Sequence, residues 1–238
     1  MRKNLIGISG KIGSGKDTVG KIIQYLSSEA SQQRDRTYEE FLRGHSNPDA
    51  YGYYYHSDWE IKKFAGKLKE VASLLTGISV HDFEDQEFKK TELGPEWNQT
   101  RLYNSDAPWM TGNETYEVPL TVRELLQKVG TECMRDCLHE NVWVNALFAD
   151  YECTHSDHSQ HGFDCSQWLI TDTRFPNEAQ AIKSKGGIIV KVTRPGEQQG
   201  THPSEIALDD WDFDVVIENN GSIEDLIEKV KIQLGDML

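Results

Sequence analysis

A glycine-rich segment near the amino end, GKIGSGKDT at residues 10–18, limits the folds open to this chain. It follows a short apolar run, Asn4 to Ser9, that predicts a buried strand, and it leads into a helix predicted from about Gly15 through Leu26. A glycine-rich turn between a strand and a helix, with a lysine at this spacing, is typical of a phosphate-binding loop. The glycines let successive backbone N–H groups turn toward phosphate oxygens, and the N-terminus of the helix favours an anion.

Lys16 of this loop is predicted to reach the β and γ phosphates of a nucleotide. The loop residues predicted to bind ATP together with it are Lys11, Gly13, Ser14, Gly15, Asp17 and Thr18. The motif usually carries Ser or Thr directly after the lysine, and this chain carries Asp17, with Thr18 one place later. Asp17 can contact magnesium through a water molecule, hold the loop or activate the acceptor. It can also do no more than favour the first helical turn electrostatically, and the sequence leaves these alternatives open.

Apolar runs alternate with helical segments along the rest of the chain. The further predicted strands are Glu60 to Ala65, Trp168 to Thr171, Ile188 to Thr193 and Asp214 to Ile217. Predicted helices include Lys67 to Thr76, a helix capped by Thr121 and Glu124, Val142 to Glu152, Pro176 to Lys185, and a last helix, capped by Ser222 and Asp225, that ends at about Leu234. Five strands separated by helices predict an α/β fold with a parallel, doubly wound sheet.

The length of 238 residues suits one α/β domain spanning residues 1–238. Three polar stretches, near residues 30–57, 94–118 and 153–166, are interpreted as insertions in this domain. The second of them lies within Leu93 to Pro119, which shows no clear period and is predicted to be a long excursion away from the core.

Composition and charge exclude several classes of protein. The formal net charge of −14 argues against binding of a nucleic acid polymer, which needs a surplus of Lys and Arg. Apolar runs stay well short of the roughly 20 residues that span a bilayer, and glycines and charges interrupt the start before a signal peptide can form. Four cysteines are too few for the disulfide framework of a secreted domain, so reduced thiols and a cytoplasmic location are expected, the host cytoplasm if a phage encodes the chain. The choice between a monomer and a homodimer is left open.

Asp172 stands at the carboxyl end of the predicted strand Trp168 to Thr171, where open α/β sheets place their ligands. It is the predicted second carboxylate for organising magnesium, directly or through water, with a plain turn residue as the alternative. Arg174 is a predicted clamp for the phosphate of an acceptor. Phosphoryl transfer demands little covalent chemistry from the protein, so positioned cations are expected to supply most of the catalysis.

Two further arginines and a tryptophan are candidates for the acceptor site. Arg123 lies on the helix capped by Thr121, with Gln127 one turn later, and Arg135 follows in the next helical stretch. These side chains can face an anion or simply form a solvated helix face. Trp143 can stack on a base, or it can pack in the core among the apolar residues around it.

Histidines and cysteines crowd one polar stretch, at positions Cys153, His155, His158, His161 and Cys165. Their spacing can enclose a structural zinc ion, although it fits no standard zinc finger. A solvated loop rich in these residues is the alternative interpretation.

Five motifs, in their order along the chain, resemble the bacteriophage-type deoxynucleoside monophosphate kinases. They are GKDT at residues 15–18, FAGKLK at 64–69, RELLQKVGTECMR at 123–135, TDTRFPNEA at 171–179 and VTRPG at 192–196. The resemblance covers most of the chain except the three polar insertions.

The resemblance implies a three-layer α/β/α P-loop kinase fold with helical NMP-binding and lid insertions. It also implies phosphorylation of deoxynucleoside monophosphates to diphosphates, with ATP as co-substrate and Mg²⁺. Its implied acceptor contacts are Lys69, Arg123, Thr131, Trp143, Asp172, Arg174 and Glu178, and Gln127 joins them as a neighbour of Arg123 on the helix. Arg194 and Pro195 would lie against the adenine of ATP, and the catalytic set would be Lys16, Asp17, Arg135, Asp172 and Arg174.

Two other functions compete with this one. Because the loop specifies only the donor, the acceptor can be another small molecule such as dephospho-coenzyme A or phosphomevalonate. The chain can also be a regulatory module that binds ATP as a switch. Such a module would need no arginine cluster around an acceptor, so Arg123, Arg135 and Arg174 count against it.

Overall fold

The structure is a computed structural model that describes residues 3–28, 37–46, 57–102, 115–155, 163–196 and 206–238. The chain divides into two compact units. The sheet unit comprises Met1–Phe64 and Val144–Leu238, and the inserted unit comprises Ala65–Trp143. The prediction of a single domain over residues 1–238 stays a prediction.

The described elements include both helices and strands in each unit. In chain order they are β1 (Leu5–Ser9), α1 (Lys16–Ser27), α2 (Tyr38–Ser46), β2 (Trp59–Lys62), α3 (Phe64–Thr76), β3 (Gln99–Leu102), β4 (Thr115–Val118), α4 (Val122–Gln127), a π-helix (Lys128–Asp136), α5 (Val142–Phe148), β5 (Cys153–His155), β6 (Phe163–Cys165), β7 (Gln167–Ile170), α6 (Pro176–Ser184), β8 (Ile188–Thr193), β9 (Val215–Glu218) and α7 (Ile223–Leu234). Among the described helices, we find none that is long and apolar enough to cross a bilayer.

A five-stranded parallel sheet, in the order β2-β7-β1-β8-β9, forms the centre of the sheet unit. Each strand overlaps one of the five predicted from the sequence, so the predicted α/β class with a parallel, doubly wound sheet is confirmed. From β1 the chain crosses to β2 and β7 on one side and to β8 and β9 on the other. The carboxyl end of β1 is therefore the switch point at which such sheets bind ligands.

Helices cover both faces of this sheet. On one face, Ile188, Val190 and Val192 of β8 share a buried cluster with residues of α1 and α7. On the other face, a side-chain carbon built at Gly7 of β1 would lie only 2.6 Å from Ile182 of α6. The helix therefore packs directly on the backbone of the central strand. These layers correspond to the three-layer arrangement expected of the P-loop kinase fold.

The first insertion contributes α2 to the same core. Tyr38 and Phe41 are buried, and each ring centroid lies 5.6 Å from that of Tyr25 on α1. The predicted caps are also present. The side chains of Thr121 and Ser222 each accept a hydrogen bond from the backbone three residues later, at the start of α4 and α7 respectively.

The inserted unit contains more regular structure than the sequence predicted. The stretch Leu93 to Pro119, which was predicted to be a long excursion away from the core, contains β3 and β4, which pair antiparallel, and a 3₁₀ turn at Pro95–Trp97. Residues 103–114 of this stretch lie outside the described part. Strands of four residues are too short for their alternation to be recognised in a polar sequence.

A π-helix, Lys128–Asp136, directly follows α4. The Trp143 indole N–H donates a hydrogen bond of 2.8 Å to the carbonyl of Gly130. A side-chain carbon at Gly130 would lie 2.9 Å from Leu68, so the glycine lets α3 approach closely. π-Helical segments are rare, and most of them are single turns inside α-helices, frequently at functional sites.

The structure of the third insertion contradicts two predictions about its cysteines. Strand β5 follows α5, which ends at Phe148 rather than at Glu152, and pairs antiparallel with β6 so that Cys153 lies opposite Cys165. The two cysteines form a disulfide, and their sulfurs are neither reduced nor available to zinc. His158 and His161 lie outside the described residues, and within those residues no group of three or more His, Cys, Asp or Glu side chains could hold a metal. The expectation of reduced thiols is met by Cys133 and Cys137 only.

Candidate active site

The glycine-rich loop connects β1 to α1 at the switch point of the sheet. Gly10 and Gly15 have φ angles of 155° and 100°, which side chains rarely tolerate. A side-chain carbon at Gly10 would lie 2.4 Å from the carbonyl oxygen of Val192, and one at Gly15 would lie 2.6 Å from Nδ2 of Asn219. Glycine is therefore required at both positions for the loop to fold against its neighbours.

Lys16 begins α1 and extends back over the loop. Its Nζ donates a hydrogen bond of 2.9 Å to the carbonyl of Lys11, which also accepts one from the backbone N–H of Ser14. The Ser14 hydroxyl is buried and has no hydrogen-bond partner within the described residues. The first N–H groups of α1, at Lys16, Asp17 and Thr18, belong to the turn that has no intrahelical acceptor. The loop thus combines backbone donors, an ammonium group and a buried hydroxyl.

Asn219 holds this loop in place from the far edge of the sheet. Its side-chain amide donates a hydrogen bond of 2.8 Å to the carbonyl of Ser14, and its backbone N–H donates one to the carbonyl of Thr193. Sequence analysis did not find this residue. It directly follows β9, whereas the strand predicted from the sequence ends at Ile217, two residues earlier.

Asp17 contacts the ends of two neighbouring strands. Its Oδ1 accepts a hydrogen bond of 2.8 Å from the Thr171 hydroxyl and lies 3.0 Å from Nζ of Lys63. Burial would raise the pKa of this carboxyl group. The hydrogen bond from Thr171, the ion pair with Lys63 and the charge of Lys16 outweigh burial and lower the pKa below its ordinary value. Asp17 is therefore ionised at neutral pH.

Asp172 and Glu178 shape the segment that carries Arg174. The Asp172 carboxylate accepts a hydrogen bond of 2.8 Å from the backbone N–H of Phe64, where α3 begins. Glu178 is buried, and its Oε2 accepts hydrogen bonds from the backbone N–H groups of Arg174 and Phe175 at the start of α6. Both carboxylates therefore have a local structural role in addition to the roles predicted for them.

A recess at the carboxyl ends of β1, β7 and β8 is lined by three cationic side chains, Lys11, Arg174 and Lys191. The rest of its lining is Ser9, Gly10, Thr173, Val192, Leu208, Asp209 and Phe213. The Lys191 ammonium lies 4.9 Å from the centre of the Phe213 ring. Clustered cations next to the loop make this end of the sheet attractive to phosphate groups, in a chain whose net charge is −14.

The residues predicted to contact adenine follow β8. Arg194 is exposed, and its guanidinium lies 3.4 Å from the carbonyl oxygen of Gly13 in the loop. Pro195 is exposed beside it. Arg194 is thus brought to the loop, as its predicted contact with ATP requires.

The other predicted acceptor contacts lie in the inserted unit. Lys69 is buried on α3 and forms an ion pair with Glu84. Arg123 and Gln127 lie on α4, where Arg123 contacts Gln86. Thr131 and Arg135 lie on the π-helix, and Trp143 is buried on α5. Their acceptor roles stay predictions.

Magnesium fits the residues at the end of the sheet. Asp172 follows β7, and Asp17 contacts the end of that strand. Magnesium is commonly held by one or two carboxylates together with substrate phosphates. The Asp17 side chain is 59% exposed, so solvent and ligands can reach it.

The sheet order, the loop at its switch point and the lysine at the start of α1 correspond to the P-loop kinase fold. The family of deoxynucleotide monophosphate kinases matches residues 80–230, which is more than half of the chain. The chain belongs to this family.

Individual relatives agree with this assignment. The chain is 34% identical over 112 residues to the deoxynucleotide monophosphate kinase of Enterobacteria phage T4. The aligned segment covers 47% of this chain and 44% of the phage protein. It is 30% identical to the corresponding protein of Escherichia phage RB69 over 47% of this chain and 43% of that protein. These matches span less than half the length of the relatives. A longer match, with 26% identity, covers 86% of this chain and 84% of the deoxynucleoside-5'-monophosphate kinase of Escherichia phage T5.

The hydrogen bond from Asn219 to the loop generates a prediction about local stability. Asn219→Ala should speed amide hydrogen exchange in the loop segment 13–16 by roughly five-fold, because a neutral hydrogen bond contributes about 1 kcal/mol. Hydrogen exchange measured by mass spectrometry checks this. Asn220→Ala is the matched control, since the Asn220 amide bonds to Glu218 instead. Equal exchange of the loop in both variants would contradict the role assigned to Asn219.

Proposed function

We propose that this protein transfers the γ-phosphoryl group of ATP to the phosphate of a deoxynucleoside monophosphate. The observation that carries the proposal is the position of the Lys16 loop, at the switch point of a parallel sheet and at the N-terminus of α1. This geometry supports a bound triphosphate as the donor. Membership in the deoxynucleotide monophosphate kinase family supports the class of acceptor.

The donor phosphates would be held mainly by backbone groups. The glycines of the loop and the first turn of α1 direct N–H groups toward the phosphate oxygens, and the helix dipole adds a favourable field. Lys16 would exchange its contact with the Lys11 carbonyl for the β and γ phosphates. Because these donors are placed before the substrate binds, they can stabilise charge that develops in the transition state.

The acceptor chemistry needs no general base. A phosphate monoester loses its second proton with a pKa of about 6, so the acceptor is largely a dianion at neutral pH. One of its oxygens attacks the γ phosphorus while the bond from that phosphorus to the β-bridging oxygen breaks, which yields ADP and a nucleoside diphosphate. The protein then has to align the two phosphates and neutralise their charge.

Arg174 is the cation of the sheet unit that we assign to the acceptor phosphate. It lies in the recess with Lys11 and Lys191, and Glu178 fixes its backbone. The acceptor contacts that we propose from the family resemblance are Lys69, Arg123, Gln127, Thr131, Arg135, Trp143, Asp172 and Glu178. Arg194 and Pro195 are proposed to contact adenine.

Asp172 would hold Mg²⁺, directly or through water. When bound there, the ion would supply positive charge that offsets the negative charge of the phosphate groups. The hydrogen bond from Phe64 N–H orients the Asp172 carboxylate for this role.

The experiment that tests the function is a coupled assay of ADP release with ATP and magnesium. The acceptors are a panel of deoxy- and ribonucleoside monophosphates, with dephospho-coenzyme A and phosphomevalonate as controls. We expect turnover of at least one deoxynucleoside monophosphate. Turnover of a control compound only would replace the acceptor class, and no turnover with any compound would contradict the proposed activity.

Lys16→Ala should lower kcat by roughly 100-fold or more, because the lysine acts mainly on charge that develops in the transition state. Steady-state kinetics with the best deoxynucleotide of the panel measures this effect. Lys21→Ala, on the exposed side of the same helix, should leave kcat unchanged. If Lys16→Ala keeps the wild-type rate, the loop is not the donor site.

A further inference from the structure

Lys63 has no role in the loop motif or in the family resemblance, yet its ammonium group lies beside the first turn of α1. Its Nζ is 3.0 Å from Oδ1 of Asp17, the oxygen that also accepts the hydrogen bond from Thr171. Lys63 directly follows β2, and Thr171 directly follows β7. The backbone N–H of Thr171 donates to the carbonyl of Lys62, so the two strand ends are fixed side by side.

Stability of the fold does not account for this cluster. The Lys63 side chain is 32% exposed, and ion pairs that are open to solvent contribute little to folding. Lys62, the preceding residue, contacts different groups: its ammonium pairs with Glu60 and lies 5.1 Å from the centre of a Trp168 ring. Of these two neighbouring lysines, Lys63 contacts the residue that follows the loop lysine.

The position of Asp17 explains what an ammonium group can do there. In the usual loop, the hydroxyl residue after the lysine contacts magnesium beside the β and γ phosphates. Here that position holds a carboxylate, which is bound to Thr171 and Lys63. The carboxylate therefore brings a second ammonium group to the place where the phosphates of a bound nucleotide would lie.

We propose that Lys63 contacts the transferring phosphoryl group and that Asp17 and Thr171 position its ammonium for that contact. The inference rests on the proposed kinase function. Asp17 is then a positioning residue, a role that the sequence analysis did not include among its alternatives. A role for Asp17 as a base is unnecessary, since the acceptor phosphate is already largely ionised at neutral pH.

The test compares Lys63→Ala with Lys62→Ala in steady-state kinetics with ATP, magnesium and the preferred deoxynucleotide. Lys63→Ala should lower kcat by about 100-fold, the usual effect of removing one preorganised charge donor, while KM for ATP changes by less than about five-fold. Lys62→Ala should match the wild type. Lys63→Arg keeps the charge, and its kcat should be at least about ten-fold higher than that of Lys63→Ala.

A double-mutant cycle tests the role of Asp17. Asp17→Asn should lower kcat in the wild-type background and have little further effect in the Lys63→Ala background, because a positioning residue acts through the residue it positions. Independent, multiplicative losses would contradict that role. Melting temperatures of all variants report folding, and if Lys63→Ala fails to fold, the comparison of Lys63→Gln with Lys63→Arg takes its place.

The outcomes separate this inference from the function on which it rests. A wild type that turns over a deoxynucleotide, together with a Lys63→Ala variant that is as active as Lys62→Ala, would overturn the role of Lys63 and leave the kinase function intact. A wild type without turnover of any nucleoside monophosphate would overturn both.

Discussion

The five strands of the sheet are parallel, so their carboxyl ends all lie at one edge. The positions of the charged groups described above depend on this alignment. Each strand of the sheet is followed there by residues discussed above. They are Gly10 after β1, Lys63 after β2, Thr171 and Asp172 after β7, Arg194 after β8, and Asn219 after β9. Residues far apart in the chain are thereby placed along one edge of the sheet, and the strand order determines which of them are neighbours.

An acidic chain can still bind polyanions when its cations are placed locally. The net charge of −14 argues against a broad basic surface, but Lys11, Lys16, Lys63, Arg174 and Lys191 all lie on or beside the switch point. The loop adds charge-neutral donors, because its glycines permit a backbone path that a side chain would block. This combination favours a compact anion such as a nucleotide phosphate over a polymer.

The elements that could be predicted from the sequence are those with a local signal. The five strands were predicted because short apolar runs are bounded by polar turns, and Lys16 was found because its motif is continuous. Asn219 and Lys63 were missed because their partners are distant: Asn219 bonds to a residue 205 positions away. Only the strand order brings such pairs together.

Other errors have equally physical causes. The wrong zinc prediction counted Cys153 and Cys165 as ligands, but the register of β5 and β6 places them opposite each other, where they form a disulfide. The π-helix was missed because a helical pattern of apolar residues over nine positions does not reveal the hydrogen-bond spacing. The acceptor role of Glu178, which came from the resemblance, stays a prediction, and its contacts with the backbone at the start of α6 were not part of the sequence analysis.

The most direct test of the central claim is hydrogen exchange of the wild-type protein with and without a non-hydrolysable ATP analogue and magnesium. If the loop at the switch point binds the donor phosphates, peptides covering residues 10–18 should become strongly protected when the analogue binds. Binding of the analogue with unchanged exchange in that segment, and protection elsewhere, would contradict the account.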